Sequence, residues 1–196
     1  IKTLKRLKID FLLLPSKNQI YNKKQSMKLK LNKKDKILCA KYRKGHFEGV
    51  LAVINQFLNI IEPKYMFLGE KDFQQLYLVK KFIKKKFKTK IVSCKTIRDM
   101  KMVALSSRNN LLNNKDLILS SKIAKLLIKF KKKLIKNFNK KNQIKKIKYE
   151  INKFKNINLE YLEIRNKFNL SKKINKHNFK IFIAYYNKNV RLIDNY

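Results

Sequence analysis

The chain predicts an α/β fold: a mainly parallel sheet with flanking helices, followed by a smaller α+β domain. Short apolar runs at residues 9–14, 37–40, 65–68 and 91–94 alternate with stretches whose apolar residues recur at helical spacing. Strands separated by helices in this way form parallel sheets, because each crossover needs a helix to return the chain. Past Arg98 the texture changes to long lysine-rich amphipathic segments and further strand-like runs, which places a boundary near residue 97 and domains at 1–97 and 98–196.

Residues 1–15 read as the end of a helix entering a strand at 9–14, stopped by Pro15-Ser16; that suits a buried parallel strand. Residue 1 is Ile, so the expectation is that an amino-terminal segment precedes it. Residues 17–36 are polar, with 27–31 (MKLKL) alternating as an exposed or edge strand would. The run 37–40 (ILCA) suggests another short strand. Residues 48–61 (EGVLAVINQFLNII) carry helical periodicity, with Pro63 as a stop. A strand at 65–68, a helix over 72–85 and a strand at 91–94 follow. In the second domain helices are expected over 116–137 and 143–155, and strands at 158–164, 179–185 and 190–195.

Composition narrows the function classes. The formal charge is +39 and the pI about 10.3, yet Arg6, Arg43, Arg98, Arg108, Arg165 and Arg191 are the only arginines. Nucleic-acid readers favour arginine for bidentate contacts. Lysine spread evenly, together with abundant Asn, Ile and Phe, reads instead as drift toward A/T-rich codons, with non-specific, salt-sensitive RNA binding as a side effect. Lysine runs such as 131–133 read as solvated helix faces. An apolar fraction of 44% supports a packed core. Cys39 and Cys94 lack metal-ligand spacing and read as reduced thiols. No apolar run reaches bilayer-spanning length, so a soluble, cytoplasmic protein is expected.

Glycine is scarce: Gly45, Gly49 and Gly69 are the three in 196 residues, all inside the short motifs KGHFEG and LGEKD. Scarce glycines are kept where the backbone needs positive φ or a ligand approaches closely. Gly69-Glu70-Lys71-Asp72 ends a strand and opens a helix, an anion-receiving geometry in which free N–H groups and the helix dipole face the strand's carboxyl edge. Lys71 adds a mobile cation suited to triphosphate oxygens. Asp72 can cap the helix or help hold a ribose or Mg²⁺, and Gln75 projects one turn further on toward the same crevice. A charged surface turn with a capped helix explains the same residues equally well. In Leu105-Ser106-Ser107-Arg108 two hydroxyls and a guanidinium can grip phosphate, or form a helix cap beside a surface arginine. His46 can donate to a carboxylate or phosphate, or be a satisfied structural residue.

In this order and spacing, the set Cys39-x3-Arg43-x-Gly45-His46-Phe47-x-Gly49-Val50, NII-x-P, LGEKDFQQL, TIRD, LSSRN and terminal RLIDN resembles the pantothenate synthetases. The resemblance runs from residue 14 through 108 and resumes at 191–195, with little signal at 115–157. It implies a Rossmann-like nucleotidyltransferase domain and a small carboxy-terminal domain, usually paired as a homodimer. It implies a cytoplasmic ligase condensing (R)-pantoate with β-alanine, using ATP and Mg²⁺ and releasing AMP and pyrophosphate. By the same likeness Gly69, Glu70, Lys71 and Asp72 line the ATP site, with Ile97 against adenine and Leu105, Ser106, Ser107 and Arg108 as the phosphate-gripping loop. Gln75 and His46 are assigned to pantoate. Lys71, Arg108, Ser106 and Ser107 are the candidates for transition-state charge stabilisation; no metal ligand is assigned.

The chain departs from the family pattern in several places. No HxGH motif occurs, so the chain is expected to be an incomplete catalytic unit, a fragment rather than a decayed gene. Lys101-Met102 stands where the family usually has Asp-Gly, Arg43-Lys44-Gly45-His46 replaces Arg-Pro-Gly-His, and Asn22 follows Tyr21 in place of proline. The rival readings are a basic RNA-binding protein, which leaves GEKDFQQL unexplained, and another adenylating ligase or nucleotidyltransferase, which leaves Gln75 unexplained.

Overall fold

The computed structural model describes residues 1–20, 29–138 and 140–196. Strands β1 (Tyr65–Gly69) and β2 (Lys90–Cys94) pair in parallel, Tyr65 opposite Lys90 and Gly69 opposite Cys94, with helix α5 (Phe73–Lys86) as the crossover between them. Helix α4 (His46–Ile61) lies beside α5. Leu51, Ile54 and Leu58 of α4 meet Val79 and Ile83 of α5, and Met66, Leu68 and Ile91 pack beneath from the strands. The alternate strand residues Tyr65, Phe67 and Val92 face outward and are exposed. This is the period-two division of a strand between a covered and an uncovered face.

Two expected strands are absent among the described residues. Residues 9–14 form neither helix nor strand and have no ladder partner, and Phe11 is 92% exposed. An apolar run becomes a strand only where a neighbouring edge supplies its hydrogen bonds, and among the described residues β1 and β2 bond only to each other. Residues 37–40 enter a short helix, α3 (Cys39–Tyr42), after Leu38 at φ 48°. A side chain decides that conformation: Gln74 of α5 donates through Nε2 to the carbonyls of Asp35 (3.2 Å) and Ile37 (2.7 Å) and accepts from Ala40 N–H (3.2 Å). These backbone groups are satisfied without a sheet. Of the alternating run 27–31, residues 29–31 carry no strand, and 27–28 lie outside the described residues, as do Tyr21 and Asn22. Helices α1 (Lys2–Arg6) and α2 (Lys17–Ile20) complete the amino-terminal part.

The second part follows expectation more closely. Helices α6 (Asn114–Lys136) and α7 (Lys140–Asn152) precede an antiparallel sheet of β3 (Ile157–Asn166), β4 (Phe179–Asn187) and β5 (Val190–Asn195) in the order β3-β4-β5. Asn113 caps α6, its side chain accepting from Asp116 N–H at 2.9 Å. Lysines 122, 125, 129, 132 and 133 sit on the exposed side of α6, so its charge is a solvated face.

The sheet alternation joins the two parts. Ile181, Ile183 and Tyr185 of β4 turn toward Ile123, Leu127 and Leu134 of α6. The intervening Phe182 and Ala184, with Tyr161 of β3, turn the other way, onto Leu38, Cys39, Phe47 and Leu78 of the first part. Phe182 also lies 5.7 Å from Phe73, centroid to centroid, at the start of α5. The antiparallel sheet is thus covered on both faces, and its second cover is the parallel layer's own helical side. Replacing Phe182 with Ala should destabilise the protein by about 3 kcal/mol, read from denaturant unfolding with an unchanged m-value. A loss below about 1 kcal/mol would show that this junction is loosely packed.

Candidate functional site

The chain leaves β1 at Gly69 and turns through a 3₁₀ segment, Glu70–Asp72, directly into α5. Lys71 therefore stands at the carboxyl edge of the sheet, where the strand-to-helix turn opens. Asp72 occupies the position before the helix, but its side chain makes no capping hydrogen bond. It faces Arg43 and His46 instead, contributing attraction to both. Gly69 has an ordinary extended φ of −71°, so positive φ explains only Gly45, at 77°. A Cβ built at Gly49 or Gly69 meets nothing within 4 Å, so no packing contact within the fold requires glycine at either position.

The loop from Arg98 to Leu105 folds back on itself, with Leu105 N–H donating to Ile97 C=O at 2.9 Å. Met102, at the position where the family usually has glycine, takes φ 70°. This is the left-handed region glycine enters freely and a methionine enters at a cost of about 1 kcal/mol. A second 3₁₀ turn, Ser107–Leu111, follows. Ser106 precedes it, its Oγ accepting from Arg108 N–H at 3.2 Å. Asn109 braces the loop by donating to Ala104 C=O.

The fold brings these segments together. Lys71, Ser106, Arg108 and Arg191 line one small cavity of about 20 Å³. Lys71 also lines an adjoining cavity of about 30 Å³ with Arg43, His46, Asp72 and Gln75. Each has room for about one water at its base and is partly open to solvent. Beyond them an open groove of about 580 Å³, bordered by Gly45, His46, Gly49, Met66, Leu68 and Gln75, shares His46 and Gln75 with the second cavity. That space is in the range of small-molecule sites. Gly69, Glu70, Ser107, Ile97 and Leu105 do not line these two small cavities; Ile97 is 65% exposed.

Residues far along the chain complete the walls, and sequence reasoning had given them no role. Arg108 Nη1 donates to the carbonyl of Arg191 at 3.2 Å. Arg191 pairs with Glu160 (2.5 Å) and approaches Cys39 Sγ at 3.5 Å, while Cys39 shares a 3.1 Å contact with the Tyr161 hydroxyl. Burial alone would lower the Arg191 pKa, but the Glu160 and Cys39 interactions outweigh it and raise it. Asp194 receives Arg98 through two bonds, 2.7 and 2.8 Å, and Asn195 reaches the Lys71 turn. The one signal for these contacts was the RLIDN motif itself, which carries no indication of where its strand lies.

The electrostatics are those of an anion site. Burial first, then Arg191 and Arg108, push the Arg43 pKa down. Burial, then Arg43, Arg191 and Arg108, push down that of His46, with Asp72 opposing weakly. His46 is consequently neutral at physiological pH. Because folding lowers its proton affinity, its contribution to stability is full above about pH 6.5 and is lost as the pH falls through the depressed value. An NMR titration should place the His46 midpoint below about 6.5 and move it upward when pyrophosphate neutralises the surrounding arginines. A midpoint at or above the ordinary value in the free protein would contradict this arrangement.

Comparison with known proteins shows the family. Residues 1–196 match the family model described as pantoate-beta-alanine ligase. The chain is 34% identical over 202 residues to a pantothenate synthetase of Francisella philomiragia, covering all of this chain and 67% of that protein. It is 37% identical over 162 residues to that of Flavobacterium psychrophilum, covering 79% of this chain and 56% of the relative. The chain thus spans between 56% and 67% of the length of these two relatives. Among solved structures, a pantoate-beta-alanine ligase from Francisella tularensis, complexed with an ATP compound and β-alanine, superposes with a TM-score of 0.81 at 32% identity, over all of this chain and 67% of that one. A pantothenate synthetase from Thermus thermophilus shares the fold, with a TM-score of 0.88 at 22% identity over 72% of its length. The chain belongs to the pantoate–β-alanine ligase family.

Proposed function

We propose that this chain carries the phosphate-gripping part of an ATP-dependent ligase that joins (R)-pantoate to β-alanine through a pantoyl adenylate. The observation that carries the reading is the convergence of Lys71, Ser106 and Arg108 on one cavity, with Gln75 and His46 on its neighbour. In the first step a pantoate carboxylate oxygen attacks the α-phosphorus of ATP, the bond to the β-phosphate oxygen breaks, and pyrophosphate leaves. Two anions meet, so the barrier is largely electrostatic and placed cations lower it. Lys71 and Arg108 are assigned to the developing charge, and Ser106 and Ser107 to hydrogen-bond donation. In the second step the neutral amine of β-alanine attacks the acyl carbon, AMP leaves, and the nitrogen gives up a proton.

Gln75, with His46 beside it, is assigned to pantoate in the open groove, which Gly45 and Gly49 leave free of side chains. In this reading Gly69, Glu70, Lys71 and Asp72 frame the ATP phosphates, while Ile97 and Leu105, exposed at the loop, offer an apolar surface to adenine. Among the described residues no group of three His, Cys, Asp or Glu could hold a metal ion. Mg²⁺ needs only one or two carboxylates besides substrate phosphates, and Asp72 and Asp194 are the acidic groups at these cavities. The ion would arrive on the nucleotide and offset phosphate charge. Among the described residues no helix is long and apolar enough to cross a membrane. The division at 97/98, a cytoplasmic location and a homodimer belong to the same reading.

In the complete gene product, Lys71→Ala and Arg108→Ala should each lower pantoate-dependent exchange of pyrophosphate into ATP by about 10²-fold, equivalent to about 3 kcal/mol, without loss of fold. Near-normal exchange in either variant removes that residue from the mechanism.

A further inference from the structure

Asn195, the last residue of β5, is 4% exposed and lies 124 positions from Lys71 in sequence. Its carboxamide nitrogen donates to two consecutive backbone carbonyls, Glu70 and Lys71, at 2.9 Å each. Its carboxamide oxygen accepts from Lys180 Nζ at 2.7 Å. The partners leave one orientation for the amide: carbonyl oxygens only accept and an ammonium only donates. Lys180 is itself steadied over the ring of Phe73, 4.8 Å from its centroid, at the beginning of α5. The Asn195 backbone is held too, its carbonyl accepting from Arg98 Nη2 at 3.2 Å.

The two carbonyls belong to the 3₁₀ turn that brings Lys71 to the cavity wall. A turn this short has few bonds of its own, and the direction of a side chain follows the orientation of its peptide units. We propose that Asn195 is a positioning residue for Lys71: by donating to both Glu70 and Lys71 carbonyls it fixes the turn that aims the Lys71 ammonium. The last strand of the second sheet is therefore part of the anion-gripping machinery. The inference rests on the ligase reading of Lys71 and extends it to a residue that touches no substrate.

The test compares Asn195→Ala, Asn195→Asp and Lys71→Met in the complete gene product, alone and combined, by pantoate-dependent pyrophosphate exchange and thermal unfolding. Asp is nearly isosteric and keeps the Lys180 contact, but turns an acceptor toward two acceptors. Asn195→Ala should lower kcat about tenfold while the KM for ATP changes by less than about threefold. Asn195→Asp should lose at least as much. Added to Lys71→Met, Asn195→Ala should cause no further loss beyond about twofold, because the group it aims is already gone. A residue with a merely structural role would multiply its loss onto the Lys71 variant. That result overturns the inference, as does normal kcat in a destabilised Asn195→Ala protein, or failure of both Asn195 variants to fold. Normal exchange in Lys71→Met alone would overturn the ligase reading of Lys71, and this inference with it.

Discussion

The bidentate pair between Arg98 and Asp194 is the contact on which the site depends. Arg98 follows the parallel sheet, and Asp194 lies near the carboxyl end of β5. The pair is mostly buried, the two side chains 17% and 10% exposed, and Tyr196 donates a further bond to the same carboxylate at 2.7 Å. Burial alone would lower the Arg98 pKa, but its hydrogen bonds and charge pairing with Asp194 more than reverse that. Two parallel N–H···O bonds fix orientation as well as distance. They set β5 across the mouth of the Lys71 turn, where Asn195 and the Arg191 carbonyl meet the two phosphate-type motifs.

The same strand explains how so many cations share one place. Arg43, Arg108 and Arg191 repel one another in an empty crevice, and the values at Arg43 and His46, depressed first by burial and then by these neighbouring arginines, reflect it. Glu160 and Asp194 offset part of it from the second sheet, and Asp72 part from the turn. The remaining positive charge is what an arriving triphosphate and carboxylate would neutralise. Most lysines of α6 differ in kind: Lys122, Lys125, Lys129, Lys132 and Lys133 are exposed, while Lys131 is half-buried near Arg98 and Lys167.

Long periodic segments were legible in the sequence. α4, α5 and α6 appear within a few residues of their expected bounds, and β1 and β2 pair as a parallel sheet around a crossover helix. Of the four short apolar runs, 65–68 and 91–94 form those strands, whereas 9–14 and 37–40 form none. Residues 37–40 resemble a strand until the Gln74 side chain, more than thirty positions away, satisfies their backbone, and residues 9–14 have no edge to join. Within the site, the strand-turn-helix pattern and phosphate chemistry singled out Lys71, Gln75 and Arg108 while leaving a surface turn and a helix cap as equal readings, and the family likeness supplied their expected roles. Arg191, Asp194 and Asn195 could not be given roles, since their work depends on where a strand over a hundred residues beyond Lys71 happens to lie. Ile97 was named by likeness alone, and it and Leu105 are exposed and line neither small cavity.

The most direct measurement is a crystal structure of the complete gene product with a non-hydrolysable ATP analogue. The triphosphate is predicted to lie between Lys71 Nζ and the Arg108 guanidinium, with Asn195 still bonded to the carbonyls of Glu70 and Lys71. A nucleotide bound elsewhere, with Lys71 and Arg108 turned away from each other, would contradict it.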